Sequence, residues 1–88
     1  MTTLPAPGTT VRIHPESVTP YRRMVGTVVA PANEEERTNL LRRPRYPVLV
    51  DFGRDAMLRD LPSKEQFAAD ELTVVEDAIT AHIPGGAA

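Results

Sequence analysis

The sequence predicts an all-β fold, a small five-stranded barrel with a short helical or disordered insert between strands 2 and 3. Three observations carry this prediction. In Tyr46-Pro47-Val48-Leu49-Val50-Asp51-Phe52-Gly53, apolar side chains recur at every second position, with proline at the start and glycine at the close. Further β-rich segments at 9–13, 24–30 and 72–76 are set apart by proline and glycine turn signals. Nine prolines spread through 88 residues leave no uninterrupted amphipathic run of bundle length, which excludes a helical bundle.

Each element follows in turn. Residues 1–8 read as a flexible tail ending in the Pro7-Gly8 turn signal. Residues 9–13 form the first strand, with Val11 and Ile13 on one face and Thr10 and Arg12 on the other. Residues 14–23 are a loop, because Pro15 and Pro20 have no amide hydrogen to give to a ladder. The second strand runs from Met24 to Ala30, and Gly26 within it marks a bulge or a close backbone approach.

Residues 32–45 are the insert. Asn33 is placed to cap a helix, Glu34, Glu35 and Glu36 suit its first turn, and Arg42 and Arg43 suit its last. Such a helix is marginal unless Leu40 and Leu41 dock on something, so the segment is either one to three helical turns or a disordered loop with that tendency. The third strand, 46–52, points Val48, Val50 and Phe52 inward and Leu49 and Asp51 outward. Gly53-Arg54-Asp55 then reads as a tight turn into a fourth strand at 56–61, and Pro62 to Phe67 as a further turn. Leu72 to Glu76 is the last strand, and 77–88 is a second tail expected to fray. The barrel therefore occupies residues 9–76 as one domain, with a mainly aliphatic core because only four residues are aromatic.

Five short strands with one tight hairpin late in the chain describe an SH3-like barrel. Five segments, Gly8-Thr9-Thr10-Val11-Arg12-Ile13, Pro15-Glu16-Ser17, Val25-Gly26-Thr27-Val28, Tyr46 to Phe52, and Phe67-Ala68-Ala69-Asp70-Glu71-Leu72, also fall in a recognisable order. That order resembles photosystem I reaction-centre subunit IV. More loosely, it is similar to the variable chain of ferredoxin–thioredoxin reductase and the C-terminal part of the nitrile hydratase β subunit. The resemblance covers residues 8–76 apart from the insert. It implies an SH3-like barrel of the electron-transport accessory type, a non-catalytic subunit that docks on a larger redox or metalloenzyme. The stretch from Gly53 to Phe67 and the Glu/Arg-rich insert depart from the photosystem pattern.

The chemistry-bearing residues give no catalytic centre. Nucleophilic catalysis needs a hydroxyl or thiol with a base in reach. The chain has no cysteine, only Ser17 and Ser63 as serines, and only His14 and His82 as imidazoles. His14 and His82 read as a solvated loop residue and a tail residue. His14 with Glu16 would supply two metal ligands, with no spacing signature for more. No glycine-rich phosphate loop is present. The carboxylate pairs Asp70-Glu71 and Glu34 to Glu36 read as caps. No catalysis, cofactor or metal is expected. No run is long and apolar enough to span a membrane, and the N-terminus lacks the charged and apolar regions of a signal peptide, so the expected location is cytoplasmic.

The sharper candidates are the arginines. Nine of the ten basic residues are arginine, a bias that either genomic composition or bidentate anion binding explains. Arg22 and Arg23 in the first loop, and Arg42, Arg43 and Arg45 around the insert, are candidates for one partner-binding basic face, flanked by Tyr21 and Tyr46 as interface anchors. Alternatively, these arginines pair locally with Glu34 to Glu36, and Tyr46 caps the barrel end. On the first reading, Arg42→Glu with Arg43→Glu removes partner binding and leaves stability unchanged.

The leading expectation is a docking subunit for a larger protein, an enzyme or electron carrier, with no oligomeric state specified. One alternative is a nitrile hydratase-like β-type small subunit or activator. The other is a KOW or SH3-like nucleic-acid-binding module, which a net charge of −2 and a single lysine disfavour.

Overall fold

A computed structural model describes residues 4–76 of the chain. The expectations for 1–3, and for the tail at 77–88 with His82, lie outside the described residues. In chain order the elements are β1 (Thr10–Ile13), β2 (Val25–Val28), α1 (Glu34–Arg42), β3 (Val48–Asp51), α2 (Arg54–Met57), β4 (Lys64–Phe67), a 3₁₀ turn (Ala69–Glu71) and β5 (Leu72–Glu76).

The five strands form one antiparallel sheet in the order β4-β3-β2-β1-β5. This order forces the sheet to curl. In a flat sheet, the two edge strands would lie about 19 Å apart at about 4.8 Å per neighbour. The link from Phe67 to Leu72 reaches about 17 Å at most when fully extended, and its 3₁₀ turn shortens it to well below that. β4 and β5 can be joined only if the sheet rolls until its edges approach. No ladder joins the two edges among the described residues, so the result is barrel-like and unclosed.

The rolled-in face holds the core, comprising Val11, Ile13, Tyr21, Met24, Val28, Val48, Val50, Phe52, Ala56 and Phe67. Aliphatic residues are the majority, as the composition predicts, but aromatics sit at its centre. Tyr21 stacks on Phe52 with ring centroids 4.7 Å apart, and Phe67 meets both rings edge-on at 5.8 Å. Such pairs stabilise beyond the area they bury. Gly26 is a point of close approach: a Cβ there would stand 2.6 Å from Val50 Cγ1 and 2.8 Å from Phe52 Cδ1. The register irregularity of the sheet lies elsewhere, between Thr10 and Val11 against β5.

The insert is a helix, and Asn33 caps it as the sequence predicts, while Glu36 reaches back one residue beyond the cap. Asn33 Oδ1 accepts the Glu36 amide at 2.9 Å, and the Glu36 carboxylate accepts the Ala32 amide at 2.9 Å. Leu41 remains 76% exposed, so an apolar stripe does not hold α1 in place. Leu40 is half-buried, and ion pairs link the two ends of α1 to β4: Lys64 Nζ lies 3.0 Å from Glu36 and Arg43 Nη1 lies 3.3 Å from Glu65. With α1 against this side of β3 and β4, Leu49 is buried, where outward exposure was expected.

The fourth strand corrects the sequence reading. Residues 56–61 are not extended; α2 and the turn after it occupy that stretch, and the strand is Lys64–Phe67. The physical reason begins at Gly53, whose φ of 58° suits glycine and whose amide donates to Asp51 Oδ1 at 2.8 Å. The chain turns there into Arg54-Asp55-Ala56-Met57, residues that favour a helix and include no β-branched side chain. Asp60 then takes φ 58° while the Leu61 amide reaches back to the Ala56 carbonyl at 2.9 Å, closing the turn. Lys64 to Phe67 has weak strand propensity except at Phe67, but pairing of Val48 with Phe67 and Asp51 with Lys64 overrides it.

Candidate functional site

The loop at 14–23 is stitched down at several points. Ser17 Oγ lies 2.9 Å from Thr19 Oγ1, accepts the Thr19 amide at 3.2 Å and donates to Glu71 Oε2 at 3.3 Å. Glu71 also accepts the Ala68 amide at 2.9 Å, and its carbonyl accepts the His14 amide at 2.9 Å. This is the capping role expected of the Asp70-Glu71 pair. At the far end of the loop, the Tyr21 hydroxyl donates to the Pro62 carbonyl at 2.7 Å.

Tyr21 therefore belongs to the core, being only 2% exposed, and cannot serve as a surface anchor. Burial, and secondarily the negative charge of Glu65, push its phenol above the ordinary value of 10.0. With Ser17 and Tyr21 pinned inward, the residues between and after them project outward. Val18 is 97% exposed, and Arg22 and Arg23 are exposed.

These side chains meet α2 and the turn after it. Arg22, Arg23 and Arg59 line a depression of about 850 Å³ together with Pro15, Val18, Thr19 and Pro20. A second depression of about 400 Å³ adjoins it, lined by Met24, Val25, Asp55 and Leu58 and again by Arg23 and Arg59. Among the described residues, none of the three arginines forms a salt bridge. Their charge is presented to the outside. Of the two non-glycine residues described with positive φ, Arg23 at 69° lines this surface and Asp60 at 58° follows Arg59 in the chain.

The other candidates lie elsewhere. The 14–23 loop enters β2 and the insert leaves it, so the two arginine groups depart from opposite ends of that strand. They line separate depressions and form no single basic face, which corrects that expectation. Arg43 is committed internally: it pairs with Glu65 at 3.3 Å and its guanidinium lies 4.9 Å from the centre of the Tyr46 ring. Tyr46 is in turn held through its carbonyl, which accepts from Gln66 Nε2 at 3.0 Å. Arg42 lines the cleft beside α1, and Arg45 faces a shallow hollow beside Asp70. Local pairing of the arginine clusters with Glu34 to Glu36 is not what forms: Glu34 lies 3.9 Å from Arg37, and Glu36 pairs with Lys64.

Arg59, Leu58 and Val18 complete the site, and the sequence reading did not include them. A fourth strand at 56–61 would have half-buried Leu58 and Arg59. The available signal was the helix-favouring run Ala56-Met57-Leu58-Arg59, beginning three residues after Gly53.

Chemically, unpaired guanidinium groups around an open hollow suit carboxylate recognition. The hydroxyls near the loop are engaged within the fold: Ser17 with Thr19 and Glu71, and Thr73 Oγ1 at 3.0 Å from His14 Nε2. Among the described residues, no group of three or more His, Asp or Glu side chains is arranged to hold a metal ion. No helix among them is long and apolar enough to cross a membrane. No family model matches this chain, and no curated protein matches it.

Proposed function

We propose that this chain is a non-catalytic docking module with an SH3-like barrel, which binds a larger protein through the surface built by the 14–23 loop and α2. The curled antiparallel sheet, with β5 returning beside β1, supports the barrel reading. The observation that carries the docking reading is the trio Arg22, Arg23 and Arg59, without an ion-pair partner among the described residues, around one hollow beside exposed Val18. Charge at such a surface steers association and sets register, while apolar neighbours supply the contact that excludes water. A redox or metalloenzyme as the partner rests on the resemblance alone.

The test is co-purification of the tagged chain from its native cell. A protein partner retained by wild type and by Arg42→Glu, and lost from Arg22→Glu/Arg59→Glu, is the expected result. Binding that disappears with nuclease and falls steeply with salt would transfer the surface to nucleic acid and overturn the proposal.

A further inference from the structure

The two adjoining hollows differ in chemistry, and that difference specifies what fits them. Arg23 and Arg59 form their common wall. On one side lies the basic hollow completed by Arg22, with Pro15 and Pro20 in its lining and no acidic residue. On the other, Leu58, 77% exposed, and Val25, 40% exposed, offer apolar surface over buried Met24, beside Asp55. A purely anionic ligand would leave this second hollow unfilled, and a purely apolar one would leave three guanidiniums without a counter-charge.

We infer that the surface takes an extended acidic segment of a partner protein in which a carboxylate side chain is followed closely by a large aliphatic one. This inference rests on the docking reading above and names its occupant. The carboxylate enters between Arg22, Arg23 and Arg59, where a guanidinium fork matches its geometry bidentately. The aliphatic side chain lies across Leu58 and Val25. Asp55, in the lining of the apolar hollow, disfavours a second carboxylate there and so fixes the direction in which the segment runs.

Backbone conformation supports the same assignment. Arg23 holds φ 69°, a region costly for a residue with a long side chain, and its amide donates to the Ile13 carbonyl at 2.9 Å. A glycine would meet the backbone requirement with less strain, yet arginine stands at the wall shared by both hollows. Strain retained in a sparsely populated region is characteristic of binding sites.

Fluorescence anisotropy with three labelled probes tests the inference on the whole chain. The probes are a Gly/Ser peptide containing one Glu-Leu step, the same peptide with Glu-Ser, and a single-stranded oligonucleotide of equal length. The Glu-Leu peptide is expected to bind about tenfold more tightly than Glu-Ser, as burial of one large aliphatic side chain provides. Leu58→Ser should abolish that preference, so that the two peptides bind alike. Arg59→Gln should weaken both peptides about tenfold.

Equal binding of the two peptides, or tighter binding of the oligonucleotide, overturns the acidic–aliphatic occupant. If neither peptide binds but the native partner is still lost from Arg22→Glu/Arg59→Glu, docking stands and this occupant falls. If the partner is also retained by that variant, both fall.

Discussion

The arginines near α1 and those of the 14–23 loop are alike in composition, yet Arg43 is engaged by the fold in a way that Arg22, Arg23 and Arg59 are not. Arg43 has a carboxylate at 3.3 Å and an aromatic ring at 4.9 Å, both fixed in the sheet or at its border. Arg22, Arg23 and Arg59 have no ion-pair partner among the described residues and surround an open hollow. An arginine's role thus depends on what its fold places within reach rather than on clustering in sequence. Arg43 links the end of α1 to β4, whereas Arg22, Arg23 and Arg59 remain exposed to solvent. The tyrosine beside each cluster shows the same division in reverse: Tyr21 is core and Tyr46 is surface.

The largest effect separating the regions is therefore expected at the tyrosines. Tyr21→Ala removes a ring packed against Phe52 and Phe67 and should cost about 3–5 kcal/mol, enough to unfold a domain of this size in urea titration. Tyr46→Ala should cost about 1 kcal/mol, mostly from the lost contact with Arg43. Similar losses at both sites would mean that the division of roles between the tyrosines is wrong. Tyr21 also sets an alkaline limit. Its neutral phenol is favoured by the fold, so its contribution is complete below the ordinary value of 10.0 and declines as pH rises through the raised folded value. Tyr21→Phe should remove that decline, at a cost of about 1–2 kcal/mol for the lost bond to Pro62.

The next contrast is between charge reversals. Arg43→Glu places two carboxylates together at Glu65 and removes the cation from Tyr46, so it should destabilise by about 1 kcal/mol and leave binding through Arg22, Arg23 and Arg59 unaltered. Arg42→Glu, with no ion-pair partner among the described residues, should change stability by less than about 0.5 kcal/mol. If instead Arg43→Glu leaves the melting temperature unmoved and abolishes binding, the insert carries the docking surface.

Arg23 sharpens the comparison further, because stability and binding should move in opposite directions. Arg23→Gly relieves the left-handed backbone and should stabilise by about 0.5–1 kcal/mol, the left-handed penalty less glycine's entropic cost. The same change should weaken peptide binding. A variant that loses both would place Arg23 among the structural residues with Arg43.

Much of this is legible in the amino-acid sequence. Strands β1, β2, β3 and β5 follow from β-branched runs between proline and glycine, and the α1 cap follows from Asn33 with Glu36. The fourth strand was not legible, since Lys64, Glu65 and Gln66 lack strand propensity and are extended only because β3 pairs with them. The site was half legible for a related reason. Arg22 and Arg23 lie next to one another in sequence, but Arg59 joins them only through the left-handed turn at Asp60 and the curl of the sheet. Tyr21 reads as surface beside two arginines, and its burial depends on a hydrogen bond to a carbonyl 41 residues away.

The smallest effect concerns what holds the structural half of the comparison in place. If α1 is secured by charge rather than by apolar burial, acid should loosen it locally. The Ala32 amide hydrogen bond, followed by the hydrogen bond to Lys64, holds the Glu36 carboxyl below its ordinary value of 4.5. A depressed folded value means that the carboxylate stabilises the fold fully above the ordinary value and stops doing so as pH falls through the depressed one. Amide protection factors in α1, taken relative to the slower intrinsic exchange in acid, should therefore fall on acidification before those in β1, β2 and β3 do. Lys64→Met should reduce this difference without altering peptide binding, because Lys64 lines the α1 cleft and not the basic hollow. If α1 and the central strands lose protection together at every pH, the helix is an integral part of the cooperative unit and its ion pairs are incidental to its position.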